Sequence, residues 1–345
     1  MKISIGTNIK EGPWGGGNLF AINLKNHLIS KGNSVVTDLN DEDIDIILIT
    51  EPRKTSESSA FTHIDVQDYL NYVNSKALVV HRINECDERK DTNFVNKYLI
   101  EANKIADYTV FVSLWLKELY LEQGINTKNN HVIMAGANPK IFNNINKANW
   151  EKDKKLKIVT HHWGANWNKG FQIYEKIDEL LNDNYWNERI EFTYIGNLPN
   201  KYKFKNANYL EPLSGNDLSN KLKENHLYIT GSLNEPSGNH HIEGSQCGIP
   251  VMYIDSGGVK EYCKDFGIEY TEENIEEKFE YIINNYNYYS KKMASYPFNS
   301  DLMCKEFSEL FHEMLNKKEE ILKLREIASP SFFKEKIYKY KRKIN

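Results

Sequence analysis

At 345 residues the chain is more than twice the roughly 150 that usually make one domain, so two domains are expected, each able to bury its own core. Hydrophobic residues at 40%, charged residues at 27% and aromatics at 12% exclude the disordered, collagenous and membrane-embedded classes. Lys plus Arg number 44 against 48 Asp plus Glu, a formal charge of -4, so no nucleic-acid partner is expected and any basic patch is local.

The pattern opens as Lys2 to Ile9, a strand-like alternation without the apolar run of a signal peptide, and no stretch approaches the ~18 apolar residues of a membrane span. Cys86, Cys247, Cys263 and Cys304 stand far apart with no Cys-x-x-Cys, which argues against a zinc ribbon or a disulfide framework. A cytoplasmic protein is expected. Further strands are predicted at Ser34 to Asp38, Asp45 to Thr50, Ala77 to His81, Tyr108 to Val112 and His131 to Met134. Helices fall between them at Asn18 to Lys31, Asn93 to Ala106 and Ser113 to Gln123, the last with a capping Ser. This is the α/β alternation of a doubly wound parallel sheet. A polar stretch, Asn143 to Lys155, reads as a connection between domains.

The alternation then restarts, with strands at Leu156 to Thr160, Ile190 to Ile195, Leu227 to Thr230, Pro250 to Ile254 and Ile268 to Tyr270. Helices are predicted at Gly170 to Asn182, Asp217 to Glu224, His241 to Cys247 and Val259 to Cys263, and from Glu272 onward the chain reads as helix alone. The expected division is 1-148, 149-298 and a C-terminal helical segment, 299-345. Its end, 331-345, is basic and interleaved with aromatics. It suits either an anionic membrane surface or a solvated helix docked by its aromatic side.

Ligands of open α/β sheets sit beyond the carboxyl ends of the strands, so the loop after each strand is a candidate site. The first loop carries Gly15, Gly16 and Gly17 into a helix, where exposed amides and the helix dipole favour a phosphate, although neither Gly-x-Gly-x-x-Gly nor a P-loop is present. His81 ends another strand and precedes the polar run Arg82, Asn84, Asp87 and Arg89, placing an imidazole where it can move a proton or bind a hydroxyl. In the second half, Lys169 stands at a helix start, where a cation opposes the dipole unless an anion lies between them. The adjacent His161 and His162 make a poor metal pair, because a continuing strand turns them to opposite faces. Glu235 in one loop and Glu243 about one turn into the next helix frame the amides of Gly238, Asn239 and His240, an arrangement that can grip hydroxyls and phosphate oxygens together. The acidic run Asp41 to Asp45 precedes its strand, at the end away from any crevice, and is expected to be a solvated turn.

In order, the Gly-rich first loop, Phe111-Val112-Ser113, Asn168-Lys169-Gly170, Tyr194-Ile195-Gly196-Asn197, Glu235-x7-Glu243 with Gly248-Ile249-Pro250-Val251, and Gly257-Gly258-Val259-Lys260-Glu261 resemble the GT-B-fold retaining glycosyltransferases of family 4. The resemblance implies two Rossmann-like domains facing across a cleft and a C-terminal helix returning to the first. It implies a nucleotide-diphosphate sugar donor, a glycan or lipid-linked acceptor, and no obligatory metal or other cofactor. By the same resemblance Glu243 binds the donor ribose, Glu235 and the backbone at Gly238 to His240 hold the donor sugar, Lys169 with Gly16 and Gly17 neutralises the diphosphate, and His81 lies near the reacting sugar. The expected catalytic residues are Glu235 and His81. Gly164 stands where the family carries an Arg, which implies phosphate binding that is either weaker or assisted by another residue such as Arg82. Without that Arg, a catalytically silent sugar-nucleotide-binding partner of a glycosylation complex is the competing reading. A GT-B-fold epimerase would need carboxylates that are not identified.

Overall fold

A computed structural model describes residues 1–10, 15–126, 129–325, 335, 336 and 338. The basic tail at 331-345 therefore lies, apart from Glu335, Lys336 and Tyr338, outside the described residues. The chain divides into two compact units, one of residues 1–87, 92–134 and 303–345, the other of residues 88–91 and 135–302. The stretch 135–148, expected to close the first domain, groups with the second.

The first unit holds a parallel sheet of β1 (Lys2–Ile5), β2 (Ser34–Val36), β3 (Ile46–Ile49), β4 (Leu78–Ile83), β5 (Tyr108–Phe111) and β6 (Asn130–Val132), in the order β2-β1-β3-β4-β5-β6. Parallel neighbours need crossovers, supplied by α1 (Gly15–Ser30), α2 (His63–Tyr72), α4 (Val95–Asn103) and α5 (Leu114–Glu122); the single turn α3 (Asp87–Lys90) precedes α4 in the chain, but all of it except Asp87 groups with the second unit. Side-chain alternation splits the strands between two cores. Ile3, Ile5, Ile46, Leu48, Leu78 and Val80 face one way, whereas Ile47, Ile49 and Val79 join α2 on the other. α2 was not expected from the sequence. Its signal is the capping box Thr62/Asp65, in which Thr62 Oγ1 accepts from the Asp65 amide and the Asp65 carboxylate accepts from the Thr62 amide. The acidic turn before β3 is exposed at Glu42 and Asp43, as expected, and it also clamps the start of β1. Lys2 Nζ reaches Asp41 at 2.8 Å and Asp43 at 2.5 Å, and Asp45 accepts from the Lys2 amide.

The second unit repeats the plan with β7 (Leu156–His162), β8 (Ile190–Gly196), β9 (Asn208–Leu210), β10 (Leu227–Thr230), β11 (Val251–Tyr253) and β12 (Gly267–Glu269), ordered β12-β11-β10-β7-β8-β9 and all parallel. Its helices are α6 (Phe171–Leu180), α7 (Asn184–Asn187), α8 (Gly215–Lys223), α9 (Asn239–Gln246), α10 (Val259–Cys263) and α11 (Ile275–Lys292). β9 escaped the sequence pattern because it is a three-residue edge strand, mostly exposed. It is secured from α6, where Asp178 accepts from the amides of Lys205, Asn206 and Ala207 at 2.6–2.8 Å.

α12 (Ser300–Asn316) and α13 (Lys318–Leu324) follow, and from Met303 onward the chain belongs to the first unit. Met303, Phe307, Leu310, Phe311 and Met314 form one apolar stripe at helical spacing, buried in the core that holds β1 and α1. Arg325 then locks the end of the described helices. Its Nε donates to Asp107 at 2.8 Å, Nη2 donates to the same carboxylate, Nη1 donates to the Ser75 carbonyl at 3.0 Å and Nη2 donates to the Ala77 carbonyl at 2.8 Å. Both partners are buried, so Arg325→Ala leaves an uncompensated carboxylate and is expected to cost about 3–5 kcal/mol in a urea unfolding curve.

Candidate active site

In the second sheet the chain runs β7, β8, β9 toward one edge and β10, β11, β12 toward the other, so β7 and β10 lie side by side at the point of reversal. Crevices for ligands form beyond the carboxyl ends at such a point. The loops leaving these two strands are tied to each other. The Leu233 amide donates to the Asn168 carbonyl at 2.8 Å, and Ser232 Oγ donates to the Lys169 carbonyl at 3.4 Å. Trp167 to Lys169 form a short 3₁₀ turn, held by Trp167 against Phe171 and Tyr202, and ended by Gly170 at φ +96°. Lys169 is thereby turned inward, and its Nζ donates to Glu235 Oε2 at 2.5 Å.

Glu235 is fixed through its backbone. It bridges Gly257 in parallel register, the Gly258 amide donates to its carbonyl at 2.9 Å, and the preceding Asn234 amide donates to Ser256 Oγ at 2.8 Å. Gly257 has φ +69°, and a Cβ there would stand 2.5 Å from the Glu235 carbonyl oxygen, so only glycine fits. The second carboxylate oxygen, Oε1, pairs with Arg89 Nε at 3.0 Å. By its sequence position Glu235 is a loop carboxylate. The structure places Glu235 at 4% exposure between two cations. Burial alone would raise its carboxyl, but Arg89 and Lys169 outweigh that and hold it down to about 2. The anion that reconciles Lys169 with its position is thus the protein's own carboxylate. Arg82, expected to replace the missing Arg at position 164, lies in β4 with its guanidinium 3.9 Å from the centre of the Phe20 ring. The second cation at Glu235 is Arg89, of the 88–91 segment that belongs to the second unit.

α9 starts beside this cluster at Gly238, φ +76°, so the amides of Asn239 and His240 open the helix. Glu243, on the next turn, is buried, and its Oε2 lies 2.9 Å from His161 Nε2. The ring of His240 points down to Thr230 Oγ1 at 2.8 Å, and that of His241 to Cys263 Sγ at 3.5 Å. His161 and His162 part as expected. His162 Nε2 pairs with the Tyr174 hydroxyl at 2.6 Å, not with the partners of His161. Lys169, Glu235, Gly238, Asn239, His240 and Glu243 are therefore brought together.

Burial lowers the imidazoles of His162 and His240 well below the ordinary range and that of His241 to about 4. They fold neutral but charge in the unfolded chain below about 6.5, so their stabilisation is complete above that pH and is lost as pH falls toward 4. A melting temperature that declines steadily from pH 6.5 to pH 4 in a thermal scan is the expected result. Glu235 adds a second loss only below about 4.5, toward 2.

Gly16 and Gly17 lie in the first turn of α1, in the first unit, where buried Asn18 accepts from the Lys10 amide at 2.9 Å and donates to its carbonyl at 2.8 Å. His81 is not at the end of its strand. It sits inside β4, fully buried, with Nδ1 2.9 Å from Asn103 Oδ1 and Nε2 without a hydrogen-bond partner among the described residues. Burial lowers its imidazole to about 4. Asp87, in the same polar run, caps α4, accepting from the Val95 and Asn96 amides at 2.9 and 3.0 Å.

No protein-family model and no curated protein sequence matches the chain. Solved structures do. A glycosyltransferase from Rickettsia africae superposes with TM-score 0.64 at 14% identity, over 91% of this chain and 98% of that one. HepE from Anabaena, solved with UDP-glucose, superposes with TM-score 0.67 at 13% identity, over 91% and 100%. WaaG, a glycosyltransferase of lipopolysaccharide biosynthesis, gives 0.63 at 11%, over 90% and 99%. Two parallel six-stranded sheets with flanking helices, matched over nearly the full length of these neighbours, give this chain the fold of the GT-B glycosyltransferases.

Proposed function

We propose that the protein is a retaining glycosyltransferase of family 4 type, moving a sugar from a nucleoside-diphosphate donor to a hydroxyl of a glycan, lipid-linked or other glycoconjugate acceptor without an obligatory metal. The observation that carries this reading is the cluster at the reversal of the second sheet. Lys169 and Arg89 converge on Glu235 beside the first amides of α9, with Glu243 on the following turn. Two cations and a helix N-terminus suit a diphosphate, and two carboxylates suit sugar hydroxyls. HepE, of the same fold, was solved with UDP-glucose, which supports a nucleotide-sugar donor here.

Transfer breaks the anomeric C–O bond to the diphosphate and forms a new C–O bond to the acceptor on the same face, while the acceptor proton passes to an oxygen of the departing phosphate. Negative charge then grows where Lys169, Arg89 and the α9 amides are already arranged, so they stabilise the transition state with little reorganisation. The Glu235 carboxylate stays ionised at any physiological pH and faces the positive charge that develops on the sugar ring. The silent-partner reading rested on the missing Arg at 164, and Arg89 supplies a cation in its place. No helix among the described residues is long and apolar enough to cross a membrane. Incubation with UDP-, GDP-, ADP- and CDP-sugars in EDTA, following nucleoside-diphosphate release with mixed glycan and lipid-linked acceptors, tests the proposal. Release from one donor family supports it. Donor binding without release under any acceptor condition supports the silent partner instead.

A further inference from the structure

The donor reading uses Glu243 but leaves unexplained the two buried polar groups behind it. His161 Nε2 lies 2.9 Å from Glu243 Oε2, and His161 Nδ1 lies 3.1 Å from the Tyr228 hydroxyl. That hydroxyl accepts from the His161 amide at 3.1 Å, and its own proton has two acceptors in reach, His161 Nδ1 at 3.1 Å and the His161 carbonyl at 3.4 Å. The tautomer that serves the carboxylate carries its proton on Nε2, which donates to Glu243, and leaves Nδ1 to accept from Tyr228. All three side chains are buried, and the ring of His161 stands edge-on to that of Tyr228 with centroids 5.7 Å apart. Tyr228 is seated by Gly244, the residue after Glu243, where any Cβ would collide with the tyrosine ring. The other carboxylate oxygen, Oε1, makes no hydrogen bond among the described residues, although the side chain is more than nine-tenths buried.

Resting on the donor reading above, we propose that His161 is a positioning residue that holds Glu243 by one oxygen, so that Oε1 is presented to the ribose hydroxyls and the site selects ribonucleoside over 2′-deoxyribonucleoside diphosphates. A buried carboxylate with one oxygen fixed and one open asks for hydroxyl donors, and a ligand that lacks one leaves the oxygen unmatched. Left unheld, the carboxylate samples several rotamers and discrimination fades, while the diphosphate contacts at Lys169 and Arg89 are untouched.

The test is calorimetric titration of wild type, His161→Leu, His161→Gln and Tyr228→Phe with UDP, GDP, ADP and CDP and with the 2′-deoxy forms of each. Wild type is expected to prefer one ribonucleotide over its deoxy form by about tenfold or more. His161→Leu is expected to bind both forms nearly equally. Gln, which keeps an N–H near the Nε2 position, restores most of the preference, and Tyr228→Phe weakens it in a chain whose fold is least disturbed. A structural role alone lowers the melting temperature without changing the ribo-to-deoxy ratio. An unchanged ratio in both His161→Leu and Tyr228→Phe, or in Tyr228→Phe alone if the leucine variant does not fold, overturns the role of His161. Absence of any nucleotide binding by wild type overturns the donor reading itself.

Discussion

Glu235→Gln is expected to bind nucleoside diphosphate more tightly than wild type while losing sugar transfer by about a hundredfold or more. The two effects have one origin. The carboxylate holds Lys169 and Arg89 at 2.5 and 3.0 Å, and removing its charge frees both cations for phosphate oxygens without creating a void. On the proposed mechanism, the same change also removes the negative charge that faces the developing cation on the sugar. Glu235→Ala separates binding from folding. It leaves two cations facing one another in a buried loop, which is expected to cost about 3–5 kcal/mol, partly recovered when a diphosphate takes the place of the carboxylate. Thermal melts with and without nucleotide, beside initial rates, read both outcomes. A variant that transfers sugar at the wild-type rate removes Glu235 from the mechanism.

Lys169→Ala and Arg89→Ala are the second pair with large expected effects. On the proposed donor mode each deletes one charge-assisted contact to the diphosphate, so each is expected to weaken nucleotide binding about tenfold, with the loss diminishing in high salt. Lys169 is the more buried of the two, its side chain 10% exposed against 27% for Arg89, and its deletion is expected to slow transfer more. Because both cations share Glu235, their effects are coupled. Adding Glu235→Gln to either is expected to give changes that depart from additivity by about 0.5–3 kcal/mol in a double-mutant cycle of binding. Additive changes would mean that the three residues act separately.

The sheets were legible because their strands are apolar runs between polar turns, and β10 lies where its pattern puts it, Leu227 to Thr230. β9 and α2 were not: one is a short exposed edge, the other a ten-residue helix whose start is announced by a capping box. In the candidate site, the carboxylate pair and Lys169 could be found from loop positions after strands. Their mutual pairing could not. Helix-dipole reasoning asked for an anion beside Lys169, but only the tie between the loops after β7 and β10 makes Glu235 that anion. Arg89 was visible only as one member of a polar run, because nothing local to residues 82–89 distinguishes a side chain that reaches Glu235 from one, like Arg82, that stacks on Phe20. His81 misled for a related reason. Two further residues, Arg82 and Ile83, extend its strand, and a ring expected at an open end lies inside the sheet.

The most direct measurement is calorimetric titration of the protein with UDP, GDP, CDP and ADP and their common sugar conjugates, in EDTA and again in magnesium, repeated on Lys169→Ala. Binding of one nucleotide family, with the same affinity in both buffers and about tenfold weaker in the variant, is the predicted result. No binding in either buffer, or binding that Lys169→Ala leaves unchanged, contradicts a donor site built on Lys169, Arg89 and Glu235.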